Sequence, residues 1–155
     1  HYTYVDIDPA IRAIAEKRFL GEPARGEFLV DDARRFVARS DRRFSAAIVD
    51  VYSAHSSIPG HLVTREFWQG TRRVLETDGV LIANLILDGK LATPYARNLL
   101  ATIESVYGRC AIEVLHKNKP LSNVVVTCHN GNQAQAASLY VDERNAADFD
   151  LARSR

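Results

Sequence analysis

Three short apolar runs in the first fifty residues each end on acid, and no other feature of the chain narrows its fold as far. Tyr2–Ile7 carries Asp6 and leads into Asp8, Gly26–Val30 leads into Asp31 and Asp32, and Phe44–Val49 leads into Asp50. Runs rich in β-branched and aromatic residues read as strands. The segments between them read as helices. Asp8-Pro9 sets a capping side chain before a proline suited to a first helical turn, and Ile11, Ile14 and Ala15 recur at helical spacing. Asp31-Asp32 opens a second helix, with Phe36 and Val37 expected inward and Arg34, Arg35 and Arg39 outward. Phe44–Asp50 has the near-continuous apolarity of a strand buried on both faces in a parallel sheet.

The alternation continues. Residues 51–63 show no period and read as a loop. Thr64 is expected to cap a helix reaching Glu76, with Phe67, Val74 and Leu75 inward; Asp78-Gly79 closes it and Val80–Leu87 forms the next strand. A helix follows over Pro94–Tyr107, then strands Ala111–Leu115 and Asn123–Cys128, whose short polar connection suits an antiparallel pair. A last helix is expected around Asn145–Ala152. This order predicts an α/β, three-layer fold with a mostly parallel sheet and a C-terminal antiparallel strand pair. Open sheets of this kind bind ligands beyond the carboxyl ends of their strands. Asp6, Asp32 and Asp50 are therefore expected to line one cleft.

Composition excludes several classes. The 155 residues suit a single domain, and 20 Lys+Arg against 19 Asp+Glu leave a formal charge of +1, so no overall field draws the chain to nucleic acid. No apolar run approaches the roughly 20 residues of a membrane helix. The arginines at 34, 35, 39, 42 and 43 read as a solvated face, and Trp68 beside Phe67 reads as core or subunit contact. Cys110 and Cys128 fit no metal spacing and read as reduced thiols of a cytoplasmic protein. His55 and His61, six apart in a loop, make no metal pair, and no metal site is predicted. The chain has no methionine and opens in a strand, which reads as the downstream part of something longer.

Several stretches resemble the spermidine synthase family, which has the class I S-adenosylmethionine-dependent methyltransferase fold. Val5-Asp6-Ile7-Asp8-Pro9 is similar to that family's acidic second-strand motif, and Val30-Asp31-Asp32-Ala33-Arg34-Arg35-Phe36 to its next one. The most specific stretch is Ile48-Val49-Asp50-Val51-Tyr52-Ser53 followed by Ile58-Pro59-Gly60-His61-Leu62-Val63-Thr64-Arg65-Glu66-Phe67. It is similar to bacterial spermidine synthase-like domains, including some fused to transporter segments. Val74–Leu81 is similar to the family's helix–turn–strand. The likeness runs over about residues 2–128.

The resemblance implies roles. Asp6, with its neighbour Ile7, would hold the nucleoside, the carboxylate accepting from both ribose hydroxyls. Asp32 would accept from the adenine amino group, with the Ala33 N–H facing a ring nitrogen. Asp50 would be catalytic, taking a proton from an amine as its nitrogen attacks the carbon beside a sulfonium. Tyr52, Ser53 and His55 would border the amine. The implied co-substrate is decarboxylated S-adenosylmethionine, or S-adenosylmethionine itself if the domain is a methyltransferase; a non-catalytic assembly domain is the remaining alternative.

The chain departs from the family pattern in two places. It begins at the family's second strand, none of its eight glycines forms a Gly-x-Gly, and the first strand with its glycine-rich loop has no counterpart. That strand lies centrally in the family sheet, so the gap is expected to be filled by residues outside this numbering, and the chain alone is expected to form oligomers through open edges. Second, Ser53 stands where family members carry an acid that binds a diamine. A desolvated dication needs compensating charge, so with Ser53, and His55 beyond it, in place of the acid the pattern argues against putrescine as the acceptor.

Overall fold

Hydrogen bonding sorts the strands of the described residues into two sheets. The computed structural model describes residues 1–52, 58–131, 140–143 and 145–153, and the fold and site below are those of these residues. They form two compact units, His1–Ser40 and Asp41–Arg155.

In the first unit, β1 (Thr3–Asp6) and β2 (Glu27–Val30) pair in parallel, Thr3 opposite Glu27 and Asp6 opposite Val30. Their crossover holds α1 (Ile11–Ala15), which continues as a wider turn through Glu16–Leu20 and stops at Gly21, a left-handed residue with φ of 68°. The helix starts later than the sequence suggests. Asp8 closes a tight turn by accepting the Ala10 N–H at 2.8 Å, so Pro9 precedes the helix instead of opening it. Ile11 and Ile14, which recur at helical spacing, are partly open at 38% and 43% exposed. Gly26 is required before β2, because a Cβ there would stand 2.3 Å from the Tyr2 carbonyl oxygen and its φ is 118°. After β2 comes α2 (Ala33–Arg39), which buries Val37.

In the second unit the strand order is β3-β4-β6-β5. β3 (Phe44–Val49) runs parallel to β4 (Leu75–Leu87), while β6 (Ser122–His129) is antiparallel to both β4 and β5 (Ala111–Val114). Three of the four strands thus point the same way, and the expected C-terminal antiparallel pair is present. Two expectations fail here. β3 is an edge strand with Ile48 73% exposed, not a strand covered on both faces. The Thr64 helix, α3 (Arg65–Arg73), ends before Val74, and Leu75 already belongs to β4. The cause is a register break. Phe44 pairs with Leu75 and Ala46 with Val80, so the residues between bulge out around Gly79. Asn130 holds this bulge, its side-chain amide donating to the Glu76 carbonyl at 2.7 Å.

One face of this sheet is the core. Val49, Leu81, Ala83, Leu85, Leu87, Val124, Val126 and Cys128 are buried there, with Phe67 and Trp68 of α3 and Leu99, Ile103 and Tyr107 of α4 (Pro94–Tyr107). Each such large side chain contributes about 1.5–3 kcal/mol by leaving water. Trp68 is a core residue whose indole N–H donates to the Val63 carbonyl at 3.2 Å. The α4 start matches expectation, with the Thr93 hydroxyl accepting the Ala96 N–H and Pro94 in the first turn. Finally, α5 (Ala147–Arg153) docks on α4 through Asp150, which accepts from the Asn98 amide at 2.6 Å and the Tyr140 hydroxyl at 2.8 Å.

The cysteines correct the sequence reading. Cys110 and Cys128 form a disulfide, because the β5–β6 register that sets Ala111 opposite Thr127 brings the two together. Cysteine usage therefore gives no argument for a reducing compartment. Among the described residues no helix is long and apolar enough to cross a membrane.

Candidate functional site

The acids nominated by the sequence fall on both units, and each unit's residues have local roles. In the first, Asp6 ends β1 and its Oδ1 accepts the Asp8 N–H at 2.8 Å. This orients the carboxylate along the turn that leaves the strand, and Ile7 beside it is 73% exposed. Asp32 is the N-cap of α2, its Oδ1 accepting the Arg35 N–H at 3.0 Å, and Ala33 is the first residue of that helix. Asp31 is ion-paired with the Arg35 side chain one turn on. The sequence placed Asp32 correctly at a helix start but did not foresee its capping bond.

In the second unit the parallel register builds the site. Val49 pairs with Ala83, so the next position along each strand sets Asp50 beside Asn84. The Asn84 Nδ2 donates to Asp50 Oδ1 at 3.0 Å. Two residues on, the chain turns back and the Tyr52 hydroxyl donates to the Asn84 carbonyl at 2.7 Å. Partial burial and, after it, the negative charge of the adjacent Asp50 push the Tyr52 phenol up to about 12. It therefore stays a neutral donor throughout the physiological range. The result is an exposed carboxylate at the end of a strand, with one oxygen held by an amide and a protonated phenol alongside. Such a group accepts protons and attracts cations.

The described residues resume at Ile58, and this stretch is held by burial and hydrogen bonding. Ile58 and Leu62 are buried, and the Asn145 side chain donates to the Gly60 carbonyl at 2.6 Å. The Asp148 carboxylate sits against Gly60, one oxygen 3.2 Å from where a Cβ would be. Burial raises the Tyr95 phenol to about 12; a bond with the Ile58 main chain opposes this, and the charges of Asp148 and Tyr52 add to it. Ser53 and His55 lie outside the described residues. Among those described, no group of histidines, cysteines and carboxylates could hold a metal. A concavity of about 790 Å³ by β5 is lined by Lys90, Leu91, Glu113 and Lys117, and another of about 310 Å³ between α3 and α4 by Arg65, Arg72 and Arg73. Neither includes Asp50, Tyr52 or Asn84.

Sequence reasoning missed Asn84. A signal was present: it is the one polar side chain in the run Leu81-Ile82-Ala83-Asn84-Leu85-Ile86-Leu87. Asp88, which follows β4, serves the turn into α4 as the Asp-Gly pair suggests. Its carboxylate accepts the N–H groups of Lys90, Ala92 and Thr93 and the Thr93 hydroxyl, at 2.7–3.2 Å.

The chain is 33% identical over 112 residues to the polyamine aminopropyltransferase of Vibrio vulnificus (strain CMCP6), a match covering 70% of this chain and 36% of that protein. Among solved structures, a probable spermidine synthase from Corynebacterium glutamicum ATCC 13032 superposes with a TM-score of 0.67 at 21% identity, over 96% of this chain and 53% of that one. Human methyltransferase-like protein 13, solved in complex with SAH, superposes with a TM-score of 0.64 at 18% identity, over 98% of this chain and 66% of that one. No family model matches. The chain thus spans about a third of its curated relative and has the Rossmann-like fold of methyltransferases and spermidine synthases.

Proposed function

We propose that this chain, spermidine synthase-like in sequence and methyltransferase-like in fold, transfers an aminopropyl group from decarboxylated S-adenosylmethionine to an amine. The observation that carries the reading is the Asp50 cluster. A carboxylate oriented by Asn84 and flanked by the neutral Tyr52 phenol suits an amine that arrives as a cation and must lose a proton.

In this reading Asp50 accepts an N–H of the acceptor and takes up its proton. The nitrogen lone pair forms a bond to the propyl carbon beside the sulfonium as the C–S bond breaks. The bonding pair returns to sulfur, leaving a neutral thioether nucleoside and a secondary ammonium. The arriving ammonium gives one proton to Asp50 before its nitrogen attacks, and the sulfonium charge passes to the new secondary ammonium, so charge balances. Tyr52 borders the acceptor, with Ser53 and His55 expected on the same loop. Asp6 and Ile7 would hold the ribose, and Asp32 and Ala33 the adenine.

The test offers the chain decarboxylated and ordinary S-adenosylmethionine, each with a panel of mono- and diamines. Formation of the thioether nucleoside from the decarboxylated compound alone, dependent on added amine, supports the reading. Turnover of ordinary S-adenosylmethionine with methylated product, or no turnover of either, sinks it.

A further inference from the structure

We propose that Asn84 is a positioning residue for Asp50, held in the sheet against the preference of its surroundings. The proposal rests on the reading of Asp50 as the group that receives the amine. On β4, the face away from the core presents Val80, Ile82, Asn84 and Ile86, so a lone amide interrupts an aliphatic stripe. Its Nδ2 makes the 3.0 Å bond to Asp50 Oδ1. Its Oδ1 is buried and has no hydrogen-bond partner among the described residues. A buried carbonyl oxygen without a donor destabilises a fold, and leucine at this position would not incur that loss. The amide cannot escape by rotating, since exchanging its two ends would set Oδ1 against Asp50 Oδ1, two acceptors face to face. Packing thus favours an aliphatic residue at 84, and what the asparagine adds is the hold on Asp50.

That hold fixes the plane of the carboxylate. With one oxygen tied to the sheet, the group cannot turn about its last torsion, and an arriving amine meets an acceptor of set direction. A misorientation of about 1 Å at such a contact costs on the order of a hundredfold in rate. Substitution of the Asn84 side chain leaves the Tyr52 bond to the Asn84 main-chain carbonyl in place, and Tyr52 itself also bears on the Asp50 carboxylate.

The experiment compares the full chain with Asn84→Leu and Asn84→Gln, using decarboxylated S-adenosylmethionine with putrescine or propylamine. For Asn84→Leu, kcat is expected to fall about 10- to 100-fold, with KM for the sulfonium unchanged and Tm equal to or above that of the parent. Asn84→Gln, which keeps an amide donor, should recover part of kcat. A second readout needs no turnover: the Asn84 side-chain amide resonance should shift in Asp50→Ala. Undiminished kcat in Asn84→Leu, a lower Tm accompanying the loss, or an amide resonance indifferent to Asp50→Ala would each overturn the proposal. If the parent turns over neither amine, the reading of Asp50 as proton acceptor fails. The resonance and the Tm of Asn84→Leu then still decide whether Asn84 holds Asp50.

Discussion

Cys110 and Cys128 are joined by a disulfide directly across the β5–β6 pair, with Cα atoms 4.5 Å apart and 18 residues between them in sequence. The bridge ties an edge strand to the strand that pairs with β4. Closing a loop of this length restricts the unfolded chain by roughly 3 kcal/mol. Reduction, or Cys110→Ser with Cys128→Ser, should lower Tm by several degrees in calorimetry. An unchanged Tm under reductant would show that the β5–β6 ladder alone carries this edge.

Asp50→Asn keeps the shape of the side chain and removes its capacity to take a proton. Amine-dependent turnover should fall about 10²- to 10⁴-fold, while nucleoside binding measured by titration calorimetry stays within a few-fold. Equal loss of both would assign Asp50 to binding the nucleoside.

Asp88 gives a pH-dependent contribution to stability. Burial pushes its carboxyl upward, but the hydrogen bonds from Ala92, Thr93 and Lys90 outweigh it, and the folded pKa lies below the ordinary value. A group depressed in the folded state stabilises above its unfolded pKa, and the contribution is lost as pH falls through the folded one. Asp88→Ala should therefore reduce stability at neutral pH, on the order of 1 kcal/mol for the hydrogen bonds lost, and less at strongly acid pH. Denaturant melts at both extremes measure this, and a penalty independent of pH contradicts it.

At the alkaline end Tyr52 works the other way. Its phenol ionises near 10 when unfolded and at about 12 when folded, so the unfolded chain releases its proton first and stability falls as pH rises between those values. Absorbance at 295 nm should show a late-ionising tyrosine that Tyr52→Phe removes. Loss of amplitude near the ordinary tyrosine value of about 10 in Tyr52→Phe, with the late-ionising component unchanged, would place the phenol in water.

Much of the fold was legible because its signals are local. For α4 a capping threonine, a proline in the first turn and the spacing of Leu99, Leu100 and Ile103 all point to the same helix. The misreadings arose where a distant partner overrode the local pattern. Leu75 continues the apolar spacing of α3, yet it pairs with Phe44 across a bulge and becomes strand. Phe44–Val49 is apolar but for Ser45, yet apolarity does not say whether a neighbour lies on each side, and among the described residues this strand is an edge.

The candidate site divides along the same line. The amino-acid sequence determined the three acids, their places at strand ends and the likeness to spermidine synthases, because short motifs and strand–turn–helix signals are contained within a few residues. Asp6 and Asp32 find their partners within their own turns, whereas only the tertiary structure decided the partner of Asp50. Whether Asp50 meets an amide depends on the parallel register of β3 with β4, which pairs Val49 with Ala83. Whether Cys110 meets Cys128 depends on the antiparallel register of β5 with β6. Register is a relation between strands, set by which faces bury together and where a bulge falls, and no single segment encodes it.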